Sequence, residues 1–211
     1  VDMVMMAFPL AEKYRNPVMI LGDGLIGQMM EPVEFSDRLK SEPSNKDDWA
    51  TNGMDTRKSK KRNLVKSLFL DAQLLEEHNL VLKAKYDRMK QEEVRYEPYN
   101  TDSDYCALIV SYGTMSRVCK TAIDNMKAQG VEVAMIRPQT LFPFPIHPIR
   151  EAASKKGCKA VVTFELSMGQ MVEDVERSVQ GKRPVYWHGK AGGEIPTPEE
   201  VIDTVQSFVK K

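Results

Sequence analysis

A Gly22-Asp23-Gly24 turn follows the apolar residues Val18, Met19, Ile20 and Leu21. An aspartate in such a turn offers the hard carboxylate oxygen that magnesium takes, and an asparagine further on, such as Asn45 or Asn52, could complete a grip on a magnesium diphosphate. The residues between lack the helix and second strand that would bring either asparagine back, and Gly-Asp-Gly is a common turn, so no metal site is expected. A second group is Tyr112, Thr114, Glu165, Ser167 and Gln170. All five fall at the carboxyl ends of expected strands, where open α/β sheets take ligands. Serine and threonine at such places also cap the following helix, and a lone glutamate also serves as an ion-pair or capping partner, so capping and ligand contact both stand as readings. The five do not assemble a nucleophile, a base and an orienting group.

The remaining reactive side chains are scattered. His78, His147 and His188 stand apart and are read as structural. Cys106, Cys119 and Cys158 form no Cys-x-x-Cys pair, which suggests neither a zinc site nor an iron–sulfur cluster and fits a reducing, cytoplasmic setting. Thirty basic and thirty acidic residues cancel, so no bulk field attracts nucleic acid or an anionic membrane. No apolar run approaches the roughly 20 residues of a membrane helix. The basic run at 57–62 reads as a solvated loop. The chain opens at Val1 inside an amphipathic pattern, and a piece of something longer is expected.

These residues need elements to position them. Asp2 is expected to cap a helix carrying Met3, Met6, Ala7, Leu10, Ala11 and Tyr14, stopped by Asn16-Pro17. Residues 18–21 then read as a short buried strand and 25–30 as a short helix. Periodicity disappears from 31 to about 63, which predicts a long loop. Asp71 is placed to cap a helix of about twenty residues that straps one domain to the next, and 96–103 is a polar stretch around Pro98. From residue 104 strands alternate with helices: strands at 105–110, 131–136, 159–164 and 184–187, helices at 117–129, 147–156 and 170–179, and a last helix opened by Thr197, Pro198 and Glu200 as a capping box. This pattern predicts a three-layer α/β/α fold with a mainly parallel sheet. The apolar segment Leu141-Phe142-Pro143-Phe144-Pro145 cannot be helical and must lie against its own core or another subunit.

Five stretches together carry a resemblance: residues 11–21 (Ala-Glu-Lys-Tyr-Arg-Asn-Pro-Val-Met-Ile-Leu), 22–33 (Gly-Asp-Gly-Leu-Ile-Gly-Gln-Met-Met-Glu-Pro-Val), 111–114 (Ser-Tyr-Gly-Thr), 137–145 (Arg-Pro-Gln-Thr-Leu-Phe-Pro-Phe-Pro) and 169–175 (Gly-Gln-Met-Val-Glu-Asp-Val). The chain resembles the alpha chain of 2-oxoacid:ferredoxin oxidoreductases, of the branched-chain 2-ketoisovalerate type. The resemblance covers nearly the whole chain and is weakest over 36–62. It implies the end of a pyrimidine-binding-type domain at 1–33, a linker loop and connecting helix at 34–103, and a transketolase C-terminal-like domain at 104–211.

For the whole enzyme the resemblance implies thiamine diphosphate and magnesium, iron–sulfur clusters on other chains, and oxidative decarboxylation of a 2-oxoacid to an acyl-CoA with reduction of ferredoxin. It implies an oligomer, with the other subunits, ferredoxin and coenzyme A as partners. The family's Tyr-Pro-Ile-Thr-Pro run and the glutamate that activates the thiazolium are not found in this sequence. The piece alone is therefore expected to be inactive, to bind no cofactor itself, and to serve assembly and the surroundings of the active site. A module for coenzyme A or a nucleotide, with Arg137 and Lys190 lining a positive crevice, is the competing reading. A component of a transketolase or pyruvate dehydrogenase is a third.

Overall fold

The computed structural model describes residues 1–35, 46, 49–51 and 62–209. By contact the chain forms two units, Val1–Leu21 with Met30–Asp87, and Gly22–Met29 with Arg88–Lys211. Asn45, Asn52 and residues 57–61 of the basic run lie outside the described residues.

The second unit is built on a five-stranded sheet: β1 Tyr96–Tyr99, β2 Ala107–Val110, β3 Val133–Pro138, β4 Ala160–Glu165 and β5 Val185–Gly189, in the order β1-β3-β2-β4-β5. β2 is central, parallel to β3 on one side and β4 on the other, and β5 extends the sheet parallel to β4. Its sequence Ala-Leu-Ile-Val is apolar throughout because both faces are covered. Leu108 and Val110 pack with Ile136 and Val161 beneath α4 (Ile146–Ala153) and α5 (Met171–Val179), which contribute Ile149, Val175 and Val179. Ala107 and Ile109 face the other way with Met135, Val162 and Phe164, against α3 (Gly113–Ala128) and α6 (Pro198–Val209). Full burial of each such Leu, Ile or Val contributes roughly 1.5–3 kcal/mol. This is the expected three-layer, mainly parallel α/β/α architecture, and the expected capping box opens α6: Thr197 N donates to Glu200 Oε2 at 2.8 Å and Glu200 N to Thr197 Oγ1 at 3.2 Å.

One strand departs from the sequence reading. Residues 96–99, expected to be a polar connection, form β1, antiparallel to β3 with Pro98 opposite Ile136. Proline lacks an amide to donate, so an edge strand is where it fits. The strand alternates outward and inward, Tyr99 packing on the α3/α6 side of the core.

In the first unit α1 spans Asp2–Tyr14. Val1, rather than Asp2, stands at its N-cap, and Asp2 lies within the first turn. The helix ends at Arg15, in a left-handed conformation (φ 46°), and Asn16 N reaches back to Ala11 O at 3.1 Å. α2 spans Ala72–Glu92 and is capped as expected, Leu74 N donating to Asp71 Oδ1 at 2.9 Å. His78 stacks on Phe69 with centroids 4.7 Å apart. The expected strand at 18–21 is absent: these residues are exposed, and no neighbouring strand pairs with them among the described residues. The expected helix at 25–30 is a single turn, closed by Gly27 N to Asp23 O (3.2 Å) and Met29 N to Leu25 O (3.0 Å).

Candidate functional site

Glu165 is the last residue of β4, on the α4/α5 side by alternation from Val161. It is 3 % exposed. Its Oε2 accepts from Ser167 Oγ at 2.8 Å, Gln170 N at 3.0 Å and Met171 N at 2.8 Å, and its Oε1 from Val172 N at 2.9 Å. The first amides of a helix have no partner within it, and the positive end of the helix dipole favours an anion there. Gln170, at the N-cap, makes no side-chain cap bond. A carboxylate five residues upstream does that work, and Ser167 steadies it by donating its hydroxyl.

α3 is closed in the same way from further off. Thr114 N donates to Asp23 Oδ2 and Thr114 Oγ1 to Asp23 Oδ1, both at 2.8 Å, while Ile26 N donates to Oδ1 at 2.9 Å. Burial pushes the Asp23 carboxyl up, but these bonds together with one from Leu25 outweigh it and hold the group below its ordinary range. Gly113 makes the approach feasible: its φ is +62°, and a Cβ there would stand 2.8 Å from Asp23 Oδ2.

Tyr112 lies between these caps, extended at the N-cap of α3 (φ −138°) without a side-chain cap bond. Burial, then the charges of Glu165 and Asp23, push its phenol up. Across β4, Gly189 closes the edge of the site, where a Cβ would meet Ser167 O at 2.6 Å and Glu165 O at 2.9 Å. Thus Tyr112, Thr114, Glu165, Ser167 and Gln170 do gather at the carboxyl ends of neighbouring β2 and β4. Neither Thr114 nor Ser167 caps a helix through its own hydroxyl. Both donate to the carboxylates that receive the helix amides.

This arrangement sets the charge at the crevice. A free helix N-terminus attracts phosphate, but here α3 and α5 each already bear a carboxylate, which would repel a second anion. The two cations expected to line a positive crevice are ion-paired: Arg137 Nη1 with Glu97 Oε2 at 2.8 Å, and Lys190 Nζ with both oxygens of Glu200 at 2.8 and 3.0 Å. The antiparallel pairing of β1 puts Glu97 opposite Arg137. The Asp23 carboxylate accepts from the amides of Ile26 and Thr114 and from the Thr114 hydroxyl, and the two asparagines weighed as its partners on magnesium lie outside the described residues. Of the other histidines, His147 is exposed, and His188 tilts against Phe164 with centroids 5.6 Å apart. The sequence reading did not anticipate Asp23 as the partner of Thr114; the available signal was an acidic turn residue and a helix without its own N-cap side chain.

The sheet topology and the self-capped site define a class of α/β domain, and comparison with known proteins defines it further. Residues 106–201 match the family described as pyruvate:ferredoxin oxidoreductase core domain II. The chain is 41% identical, over 97% of its length, to ketoisovalerate oxidoreductase subunit VorB of Methanothermobacter thermautotrophicus, and covers 56% of that relative. It is 30% identical, again over 97% of its length, to 2-oxoglutarate synthase subunit KorA of the same organism and covers 59% of it. Among solved structures, 2-oxoglutarate:ferredoxin oxidoreductase from Magnetococcus marinus, with 2-oxoglutarate, coenzyme A and succinyl-CoA bound, superposes with a TM-score of 0.56 over 68% of this chain and 24% of that one, at 19% identity. This last likeness bears on the fold alone. The chain is thus related along nearly its whole length to 2-oxoacid oxidoreductase subunits, the ketoisovalerate type among them. It spans little more than half the length of these curated relatives.

Proposed function

We propose that the chain is part of the alpha chain of a thiamine-diphosphate-dependent 2-oxoacid:ferredoxin oxidoreductase acting on a branched-chain 2-oxoacid, and that its α/β domain serves assembly and shapes the surroundings of the active site. The product would be an acyl-CoA, with ferredoxin reduced. Identity to the ketoisovalerate oxidoreductase subunit supports the substrate class. In this reading residues 1–33 are the end of a pyrimidine-binding-type domain, 34–103 connect, and 104–211 are the transketolase C-terminal-like domain. Thiamine diphosphate, magnesium and iron–sulfur clusters are held by other parts of the enzyme.

The observation that carries the assembly role is the pair of carboxylates, Glu165 and Asp23, seated on the N-termini of α5 and α3. A domain whose phosphate-binding positions are filled by its own side chains is suited to contact protein, not coenzyme A or a nucleotide. The 141–145 segment agrees: Pro143 and Pro145 are buried and Phe144 packs on the core, while Phe142 is 61% exposed. Such a side chain, held by buried neighbours, is a natural anchor for another chain. The test is co-purification of the chain, extended to the length of its relatives, with the other subunits of its complex. Phe142→Glu should weaken assembly with the fold intact; unchanged assembly in that variant, or assembly that never involves this domain, contradicts the proposal.

A further inference from the structure

The amino ends of β4 and β5 lie at the opposite end of the sheet from the self-capped crevice. Two turns meet there, residues 154–159 before β4 and 180–184 before β5. Both are pinned. Cys158 N donates to Lys155 O at 3.1 Å, Lys182 N to Val179 O at 3.2 Å, and Val161 N to Pro184 O at 3.0 Å. Gly157 has no room for a side chain, since a Cβ would stand 2.9 Å from Tyr105 O. Gln180 and Gly181 take positive φ values of 53° and 72°.

These turns display Lys155, Lys156, Lys159, Lys182 and Arg183, and none of the five has a carboxylate partner among the described residues. Their hydrogen bonds go to neutral groups instead: Lys155 Nζ to Thr101 O, Lys182 Nζ to Ser154 Oγ at 3.2 Å, and Arg183 to Lys182 O at 3.1 Å and Lys155 O at 3.4 Å. Arg183 Nε is buried with no acceptor. In a chain whose charges cancel overall, five cations on two adjoining rigid turns form a local concentration of positive charge. The C-termini of α4 and α5 favour cations nearby, but two helix ends amount to about one negative charge between them.

We infer that this face docks an acidic protein surface. A nucleic acid fits less well. Glu151 and Glu176, on the last turns of α4 and α5, interrupt the positive charge along the sequence that carries these cations, whereas a phosphate backbone is best matched by an unbroken positive track and a small carboxylate cluster needs only the lysine tips. The acidic partner would instead carry a small cluster of carboxylates, meeting the lysines at their exposed tips with strong dependence on salt.

The test uses the chain as it stands and fluorescence anisotropy with three labelled probes: a short all-glutamate peptide, a serine–glycine peptide of equal length, and a single-stranded oligonucleotide. The glutamate peptide should bind at low ionic strength, weaken as salt is raised, and lose about tenfold or more in affinity in Lys156→Glu/Lys159→Glu. These two side chains make no hydrogen bond among the described residues, so the variant should fold, and its circular dichroism and unfolding midpoint report that. Lys155→Glu/Lys182→Glu should give the same loss through the neighbouring positions. Failure of the glutamate peptide to bind, binding unchanged in both double variants, or oligonucleotide binding as tight as the peptide's through these lysines would each overturn the inference.

Discussion

The carboxylate of Asp23 and the first turn of α3 are joined at Thr114, whose amide and hydroxyl both lie 2.8 Å from Asp23 oxygens across 91 residues of chain. A helix cap is ordinarily a local matter, settled within three or four residues. Here the segment carrying Asp23 is fixed to the sheet domain by the same bonds that complete the helix. Asp23→Ala should therefore cost about 1–2 kcal/mol in denaturant unfolding, the usual range for a lost cap.

The same contact fixes a pH dependence. The Asp23 carboxyl is held below its ordinary range, so it contributes its full stabilisation at neutral pH, and that contribution is lost as pH falls through the depressed value. Acid titration of the unfolding midpoint should show Asp23→Asn flattening this part of the profile while leaving the neutral-pH slope unchanged.

Glu165 is more deeply buried than Asp23. Glu165→Ala would strand the amides of Gln170, Met171 and Val172 together with the Ser167 hydroxyl, and the loss should be about 2–4 kcal/mol in urea or guanidinium unfolding. Ser167→Ala removes one donor from a carboxylate that keeps three, and should cost about 1 kcal/mol or less.

Gly189 faces backbone on two sides, and backbone yields less readily than a side chain. Gly189→Ala should cost about 2–4 kcal/mol, with Ser167 and Glu165 forced aside. Gly130→Ala provides the contrast, having open space around its Cβ position: the strain there comes from its φ of +77° alone, and the expected cost is about 1 kcal/mol. Thermal melts of the two variants decide the order.

Burial pushes the thiols of Cys106, Cys158 and Cys119 up, the last to about 12. At neutral pH they stay protonated, and the protonated thiol is a poor nucleophile. Ellman titration should find all three slow in the folded chain and all three fast in denaturant; a rapidly reacting thiol in the folded chain would contradict this placement.

The α/β core was legible because its information is local. The apolar runs of β2, β3 and β4 are bounded by turn residues, and the box of Thr197 and Glu200 lies within a single turn. The edge strand β1 escaped because its alternation is brief and Pro98 reads as a break until Ile136 is known to stand opposite. The apolar residues 18–21 misled in the other direction, since hydrophobicity alone makes no strand without a partner to receive its amides. Glu165 was legible as a capping candidate from its place at a strand end. Asp23 was legible only as an acidic turn residue, and nothing local in 91 residues of separation points to Thr114.

The most direct test of the account is thermal-shift titration of the purified chain with thiamine diphosphate plus magnesium, and separately with coenzyme A. A ligand that binds only the folded state raises its apparent stability. With Asp23 and Glu165 occupying the helix N-termini, neither ligand should move the unfolding midpoint. A magnesium-dependent rise with thiamine diphosphate that disappears in Asp23→Ala, or a rise with coenzyme A that disappears in a Tyr112 or Ser167 variant, would contradict the assembly reading and make this crevice a ligand site.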